Sequence, residues 1–197
     1  ERAIDEAGRR LSGEIDRGRL VLVHGPFGDL AHHLKQIGIE KVNGVVLDLG
    51  VSSHQIDASD RGFSYRESGE LDMRMDRSAG LSALSIINDW PQDRLADVIY
   101  EFGEESASRR IARTIVAARP ISSTHELAEL VRAAVPTRDE VKTLSRVFQA
   151  IRIAVNDELG EVERALEAMA ETIVIGGRAV VISYHSLEDR RVKRFFR

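Results

Sequence analysis

The stretch Gly44-Val45-Val46-Leu47-Asp48-Leu49-Gly50-Val51-Ser52-Ser53-His54-Gln55 decides how the rest of the chain is read. An apolar, partly β-branched run meets an acid, and glycine and two serines follow. Such a run closed by turn formers reads as a buried parallel strand. Asp48 then stands at the strand's carboxyl end, the edge at which open α/β sheets bind ligands.

Working outward, Leu20-Val21-Leu22-Val23 predicts a second buried strand, with a turn at His24-Gly25-Pro26-Phe27. Leu30 to Ile37 predicts a helix closed by Gly38. Strand, helix and strand then follow in the order of a right-handed crossover. Far downstream, Gly176-Gly177 predicts a turn and Arg178-Ala179-Val180-Val181-Ile182 a third buried strand. Ser183-Tyr184-His185-Ser186 is its polar tip, and a helix begins at Leu187. The fold class expected is α/β.

The remaining segments fit around this frame. Glu1 to Leu11 predicts a helix with Ile4, Ala7 and Leu11 on one face and no capping residue before it, so an upstream part is expected. Residues 61–76 mix apolar and charged side chains without a period. They predict a long loop that buries Phe63, Leu71 and Met73 and presents Asp72, Arg74 and Asp76. From Ser82 to Val135 the apolar spacing is helical, divided by Pro91, Gly103 and Pro120, with Thr124 as an N-cap. A helical block between strands reads as an inserted domain. Phe148, Ile151, Val155, Leu159, Val162, Leu166 and Met169 predict one long amphipathic helix, bent at Gly160. The division expected is core at 1–75, inserted helical domain at 76–144, and core again at 145–197.

Composition narrows the class. The chain has 197 residues, 43% hydrophobic and 30% charged, as expected of a globular protein. No apolar run approaches the roughly 20 residues that span a bilayer, and no membrane partner or secretory leader is expected. Cysteine is absent, which excludes disulfides and thiolate metal sites and fits a reducing, cytoplasmic compartment. The adjacent His32 and His33 lack a partner at ligand spacing, so they read as surface and no metal is expected. Net charge is −4, so a nucleic acid would have to be held by local basic patches.

Five motifs occur in order: Asp48-Leu49-Gly50-Val51-Ser52-Ser53, Arg61-Gly62-Phe63-Ser64, Leu71-Asp72-Met73-Arg74-Met75-Asp76, Phe148-Gln149-Ala150-Ile151-Arg152-Ile153 and Ser183-Tyr184-His185-Ser186-Leu187-Glu188-Asp189-Arg190. Together they closely resemble the bacterial 16S ribosomal RNA (cytosine-N4) methyltransferases, from about residue 20 to the end. The resemblance implies a Rossmann-like core that uses S-adenosylmethionine (AdoMet), here incomplete, with an inserted helical domain for substrate recognition. It implies as substrate a cytidine at position 1402 in the decoding centre of 16S rRNA, within the small ribosomal subunit. It places a glycine-rich loop and a ribose-binding acid upstream of Glu1, and closing strands after Arg197. The family often has a strongly basic linker near Pro136 to Ser145, where this chain is mixed in sign. A homodimer stays open, as do a methyltransferase acting on DNA or another RNA and a non-catalytic RNA- or protein-binding module.

The chemistry so implied depends on positioning and a dry pocket more than on a strong base. The cytosine amine is a poor nucleophile, and acceptors for its N–H groups help to free its lone pair. The resemblance puts Phe27, Asp48 and Gln55 at the cofactor. Otherwise Asp48 caps its turn and Phe27 is a core residue. Ser53, Asp72, Arg74 and His185 are the candidates for the target base, with Asp72 or Ser53 accepting from the amine and His185 contacting the base or carrying a proton. The alternative for the loop is an internal ion pair of Arg74 with Asp72 and Asp76, and for His185 a backbone hydrogen bond. Arg109 and Arg113, one helical turn apart, and Arg190 and Arg191 are candidates to track RNA phosphates. They are equally readable as solvated faces paired with Glu104, Glu105, Glu188 and Asp189.

Overall fold

The computed structural model describes residues 2–52, 59–78, 80–136 and 139–197. The chain forms two compact units, Glu1–Leu49 with Gly160–Arg197, and Gly50–Leu159. The expected divisions lay at 75 and 144. The units instead meet after Leu49 and after Leu159, because Leu71 and Met73, 2% and 0% exposed, share one core with Phe148 and Ile151.

The first unit opens with helices α1 (Arg2–Arg10) and α2 (Ser12–Asp16). Leu20 to Val23 is not a strand. Its backbone joins no ladder, and Val21 and Val23 are exposed. An apolar run becomes a strand only where a neighbour takes its backbone groups, and none of the described strands does so. A 3-10 turn, Phe27–Asp29, leads into α3 (Leu30–Gln36). Gly38 follows with φ +76° and its N–H on the Lys35 carbonyl, the left-handed closure that glycine permits.

Strand β1 (Val42–Asp48) leads from this unit to the second, which begins at Gly50. There the helices are α4 (Ala83–Asp89), α5 (Gln92–Gly103), α6 (Ser108–Ala117), α7 (Thr124–Ala134) and α8 (Glu140–Asn156). Pro91, Gly103 and Pro120 all stand at the breaks, as the spacing predicts. A Cβ at Gly103 would meet the Arg146 carbonyl at 2.7 Å, so glycine lets α5 approach α8. The N-cap of α7 is Ser123, whose side chain accepts from the Glu126 N–H. Thr124, expected there, instead accepts from Gly69 N–H and donates to the Glu67 carbonyl. Ile86, Leu95, Ile99, Ile111, Ile115 and Leu127 fill the core.

The expected long helix is two. Helix α8 ends at Asn156, Asp157 takes a left-handed conformation (φ +48°), and α9 (Glu158–Thr172) begins beyond it. The break lies before Gly160 and is held by Arg152, whose guanidinium grips the Glu158 carboxylate at 2.7 and 2.8 Å.

Strand β2 (Ile173–Ile182) pairs in parallel with β1, and α10 (Ser186–Phe195) closes the chain. The Gly176-Gly177 turn is a bulge inside β2. Val42 pairs with Ile173 and Gly44 with Arg178, so the extra residues of β2 loop outward and Ile175 is fully exposed. From Gly44 the register runs unbroken to Asp48 opposite Ile182. Val45, Leu47, Ala179 and Val181 pack on Val162, Ala165, Leu166 and Met169 of α9. Val46, Val180 and Ile182 point the other way and are exposed, so the strands alternate where full burial was expected. Among the described residues, no helix is long and apolar enough to cross a membrane.

Candidate active site

The parallel register brings the ends of β1 and β2 together, because Asp48 and Ile182 are partners. Leu49 N–H donates to the Ile182 carbonyl at 3.1 Å and carries the ladder one residue further. The tips that follow therefore share one edge. The Tyr184 hydroxyl donates to Asp48 Oδ1 at 3.1 Å across it. That hydrogen bond, then the charge of Asp48, then desolvation, raise the Tyr184 phenol above its ordinary pKa. Tyr184 was no sequence candidate, although it adjoins His185, which was. Its signal was its position in the polar tip directly after β2.

His185 opens α10 as its N-cap residue with extended backbone. Its Nε2 lies 3.1 Å from Glu188 Oε1. Glu188 is 1% exposed, and its other oxygen accepts the Tyr184 N–H at 2.9 Å. Burial by itself would push this carboxyl up. The His185 ring and the Tyr184 and His185 backbone outweigh burial and hold it below the ordinary range. A buried acid three residues into a helix thus fixes the residues that precede it, in the manner of a capping box.

Phe27 begins its 3-10 turn with 38% of its surface exposed. The turn is anchored at Gly28, whose N–H donates to Glu161 Oε2 at 2.8 Å. A Cβ at Gly28 would lie 2.6 Å from that same oxygen. His33, expected at the surface, is half-buried, with Nε2 3.0 Å from the Pro26 carbonyl. A Cβ at Gly25 would strike the His33 ring at 2.5 Å. An exposed aromatic ring on a pinned turn suits a flat heterocycle, and the Asp48 carboxylate suits an ammonium or hydroxyl donor. These side chains fit the ends of AdoMet. Gln55 and Ser53, the other expected contributors, lie outside the described residues.

In the second unit, residues 61–78 form a tied loop. Met73 N–H donates to the Arg61 carbonyl, and Arg61 Nη2 to the Arg74 carbonyl at 2.7 Å. Asn156 grips the loop from α8, accepting from Met75 N–H at 2.7 Å and donating to the Met73 carbonyl at 2.8 Å. Asp72 is buried, and both its oxygens are engaged, by Arg74 Nε at 2.5 Å and Arg77 Nε at 2.9 Å. Asp76 accepts from the Ser78 N–H and hydroxyl. The ion-pair partner that sequence reasoning missed is Arg77.

The arginine candidates differ. Arg109 and Arg113 are exposed on α6 and make no ion pair among the described residues. Glu105, expected to pair with them, is buried, accepts the Ala107 N–H and pairs with Arg146. Arg190 lies on α10 with Nε 3.3 Å from the Ser186 carbonyl, and Arg191 is paired with Glu163 at 2.8 Å.

With the geometry in place, comparison with known proteins decides the family. The model of the MraW methylase family matches residues 1–197. The chain belongs to the MraW methylase family. Among curated relatives, "Ribosomal RNA small subunit methyltransferase H" of Methylobacterium sp. (strain 4-46) is 51% identical over 195 residues, covering 96% of this chain and 57% of that protein. The same-named protein of Paramagnetospirillum magneticum is 49% identical, with 95% and 60% covered. That of Chlorobium luteolum is 48% identical, with 100% and 62% covered. The chain thus spans about three-fifths of the length of these MraW relatives. Its mixed helix and strand content and small parallel sheet accord with a methyltransferase of this family.

Proposed function

We propose that this protein transfers a methyl group from AdoMet to the exocyclic N4 of a cytidine in 16S rRNA, at position 1402 of the decoding centre. The observation that carries the reading is the Asp48–Tyr184 hydrogen bond at the paired carboxyl ends of β1 and β2, in a chain of the MraW methylase family. The name of these relatives supplies the substrate class. In this reading the sheet and its helices are an incomplete Rossmann-like core, and the helical unit is an insertion that recognises RNA. The partner is the small ribosomal subunit, and the compartment is cytoplasmic.

Phe27, Asp48 and Gln55 hold the cofactor. When bound, AdoMet supplies an electrophilic methyl carbon on a sulfonium. Asp48 presents its free carboxylate oxygen to a cofactor donor while Tyr184 fixes the other. Ser53, Asp72, Arg74 and His185 serve the target base. Ser53 accepts from the amine. Asp72 is a positioning residue, because both its oxygens already hold guanidinium groups. Arg74 takes the base edge or a phosphate. His185, whose Nε2 lies 3.1 Å from the Glu188 carboxylate, contacts the base or carries the proton that N4 releases. Arg109, Arg113, Arg190 and Arg191 track phosphates. The target base must be unpaired or flipped out to reach the donor.

The test is methyl transfer from isotope-labelled AdoMet to unmethylated small subunits, naked 16S rRNA and duplex DNA, with nucleosides identified by mass spectrometry. N4-methylcytidine from the ribosomal substrates is expected. Label confined to DNA, or on another atom of cytidine, overturns the proposal. RNA binding without transfer would favour a non-catalytic module.

A further inference from the structure

A cleft of about 650 Å³ opens between α5 and α6, lined by Asp97, Tyr100, Ser106, Arg109, Arg110 and Arg113. Its volume falls within the roughly 300–1,000 Å³ usual for small-ligand sites. It shares no residue with the sets assigned above to cofactor and target base. The two walls differ in chemistry. Helix α6 contributes three arginines, and none has an ion pair among the described residues. The nearby acid Glu105 is turned inward onto Ala107 N–H and Arg146, so the positive charge of this wall is left for an external anion. Helix α5 contributes Tyr100, a residue 62% exposed, and Asp97 one turn before it. A phosphate is repelled by Asp97 and attracted by the arginines. An aromatic face and a carboxylate acceptor suit a base and the hydroxyl or amine donors of a nucleoside.

We infer that this cleft binds a single unpaired nucleotide of an RNA strand, with the phosphates on Arg109 and Arg113 of α6 and the base stacked on Tyr100 of α5. The inference rests on the reading of the protein as an RNA methyltransferase and deepens the phosphate role proposed for those two arginines. A paired base cannot occupy the site, because its face is already stacked within the duplex. Stacking tolerates any base, so the cleft selects single strands and not sequence.

The test is fluorescence anisotropy on the full chain with a labelled short single-stranded RNA, and with a fully paired RNA stem as comparison. Tyr100→Ala should weaken single-strand binding roughly five- to hundredfold, and Tyr100→Phe should retain it. Arg109→Ala and Arg113→Ala should each weaken binding and lower the salt slope by about 0.7. Binding of the stem should not respond to Tyr100→Ala. All four side-chain changes are at exposed positions, and circular dichroism checks that the fold is kept. Single-strand binding that is absent, or unchanged by Tyr100→Ala, overturns the cleft. So does a stem that responds to Tyr100→Ala as strongly as the single strand. Methyl transfer is scored separately. Transfer intact with Tyr100 irrelevant to binding removes the cleft alone. Tyr100-dependent binding without transfer supports the cleft and removes the enzymatic reading.

Discussion

The Tyr184 hydroxyl donates to the Asp48 carboxylate at 3.1 Å, joining two residues that lie 136 positions apart at the ends of paired strands. The bond separates two contributions of Asp48, its charge and its acceptor oxygen. Asp48→Asn can still accept from Tyr184 but carries no charge, and Asp48→Ala can do neither. If the charge holds a cofactor donor, both should weaken AdoMet binding at least about tenfold, roughly 1.4 kcal/mol, with the circular dichroism spectrum unchanged. Calorimetry with AdoMet decides, and normal binding by Asp48→Ala would remove Asp48 from the site. The same variant should bring the Tyr184 phenol down toward its ordinary pKa, which an ultraviolet difference titration reads directly. In the unmodified protein the raised phenol contributes stability below its unfolded value, and this is lost as pH rises through the folded value.

Glu188 gives the opposite pH dependence. Its folded carboxyl lies below the ordinary range, so its contribution is present above the unfolded value, roughly 4.3, and is lost as pH falls through the folded one. Glu188→Gln should flatten the acid limb of stability measured by urea unfolding across that range. At neutral pH it should cost about 1–3 kcal/mol, because Tyr184 N–H and the His185 ring lose a charged partner. An acid limb identical to that of the unmodified protein would show that the carboxylate is not what holds the polar tip.

What could be read from sequence follows from what each pattern depends on. The β1 and β2 runs ending at Asp48 and Ile182 were legible because their local apolar pattern coincides with a neighbour that pairs with it, each being the other's partner. Their one-sided exposure was not, since it depends on what covers the sheet and not on the strands themselves. Leu20 to Val23 has the same local signature and forms no strand, because pairing is a property of the neighbour. The helical breaks at Pro91, Gly103 and Pro120 were legible from backbone chemistry. The break at Asp157 was not, because it rests on the tertiary grip of Arg152 on Glu158. For the site, Asp48 and His185 were legible as strand tips. Tyr184 shares that tip and its position was a signal, but the hydrogen bond across to Asp48 depends on the pairing of the two strands.

Gly62 has φ +71°, and a Cβ there would lie 2.1 Å from the Glu70 carbonyl and 3.0 Å from the Asp72 N–H. Both contacts are with backbone, so no side chain can turn away. Gly62→Ala should therefore destabilise the second unit by about 3 kcal/mol or more, combining left-handed strain with a backbone clash. The same change at Gly38, also left-handed but with open space around it, should cost only about 1–2 kcal/mol. Denaturant midpoints of the two variants make the comparison. Equal losses would mean that the loop yields around Gly62.

Asp72, Arg74 and Arg77 can be separated by the same logic. Asp72 is 6% exposed and holds both guanidinium groups, so Asp72→Asn removes the charge that orders residues 72–77. A cost of about 1–3 kcal/mol is expected, at the level of a charged hydrogen bond lost in partial burial. Arg74 also donates to the Arg77 carbonyl at 3.0 Å, while Arg77 reaches the Asp60 carbonyl at 2.6 Å. Arg77 is thus used up in tying the loop, and Arg77→Lys should lower stability with little further effect on methyl transfer measured at a temperature where the variant stays folded. Arg74→Lys keeps a positive charge but loses the planar fork that can hold Asp72 and a nucleotide together. Under the proposed role its methyl transfer should fall by tenfold or more beyond what its stability explains, chiefly through a raised KM for RNA. Equal effects of the two lysine variants on KM would mean that Arg74, like Arg77, only supports the loop.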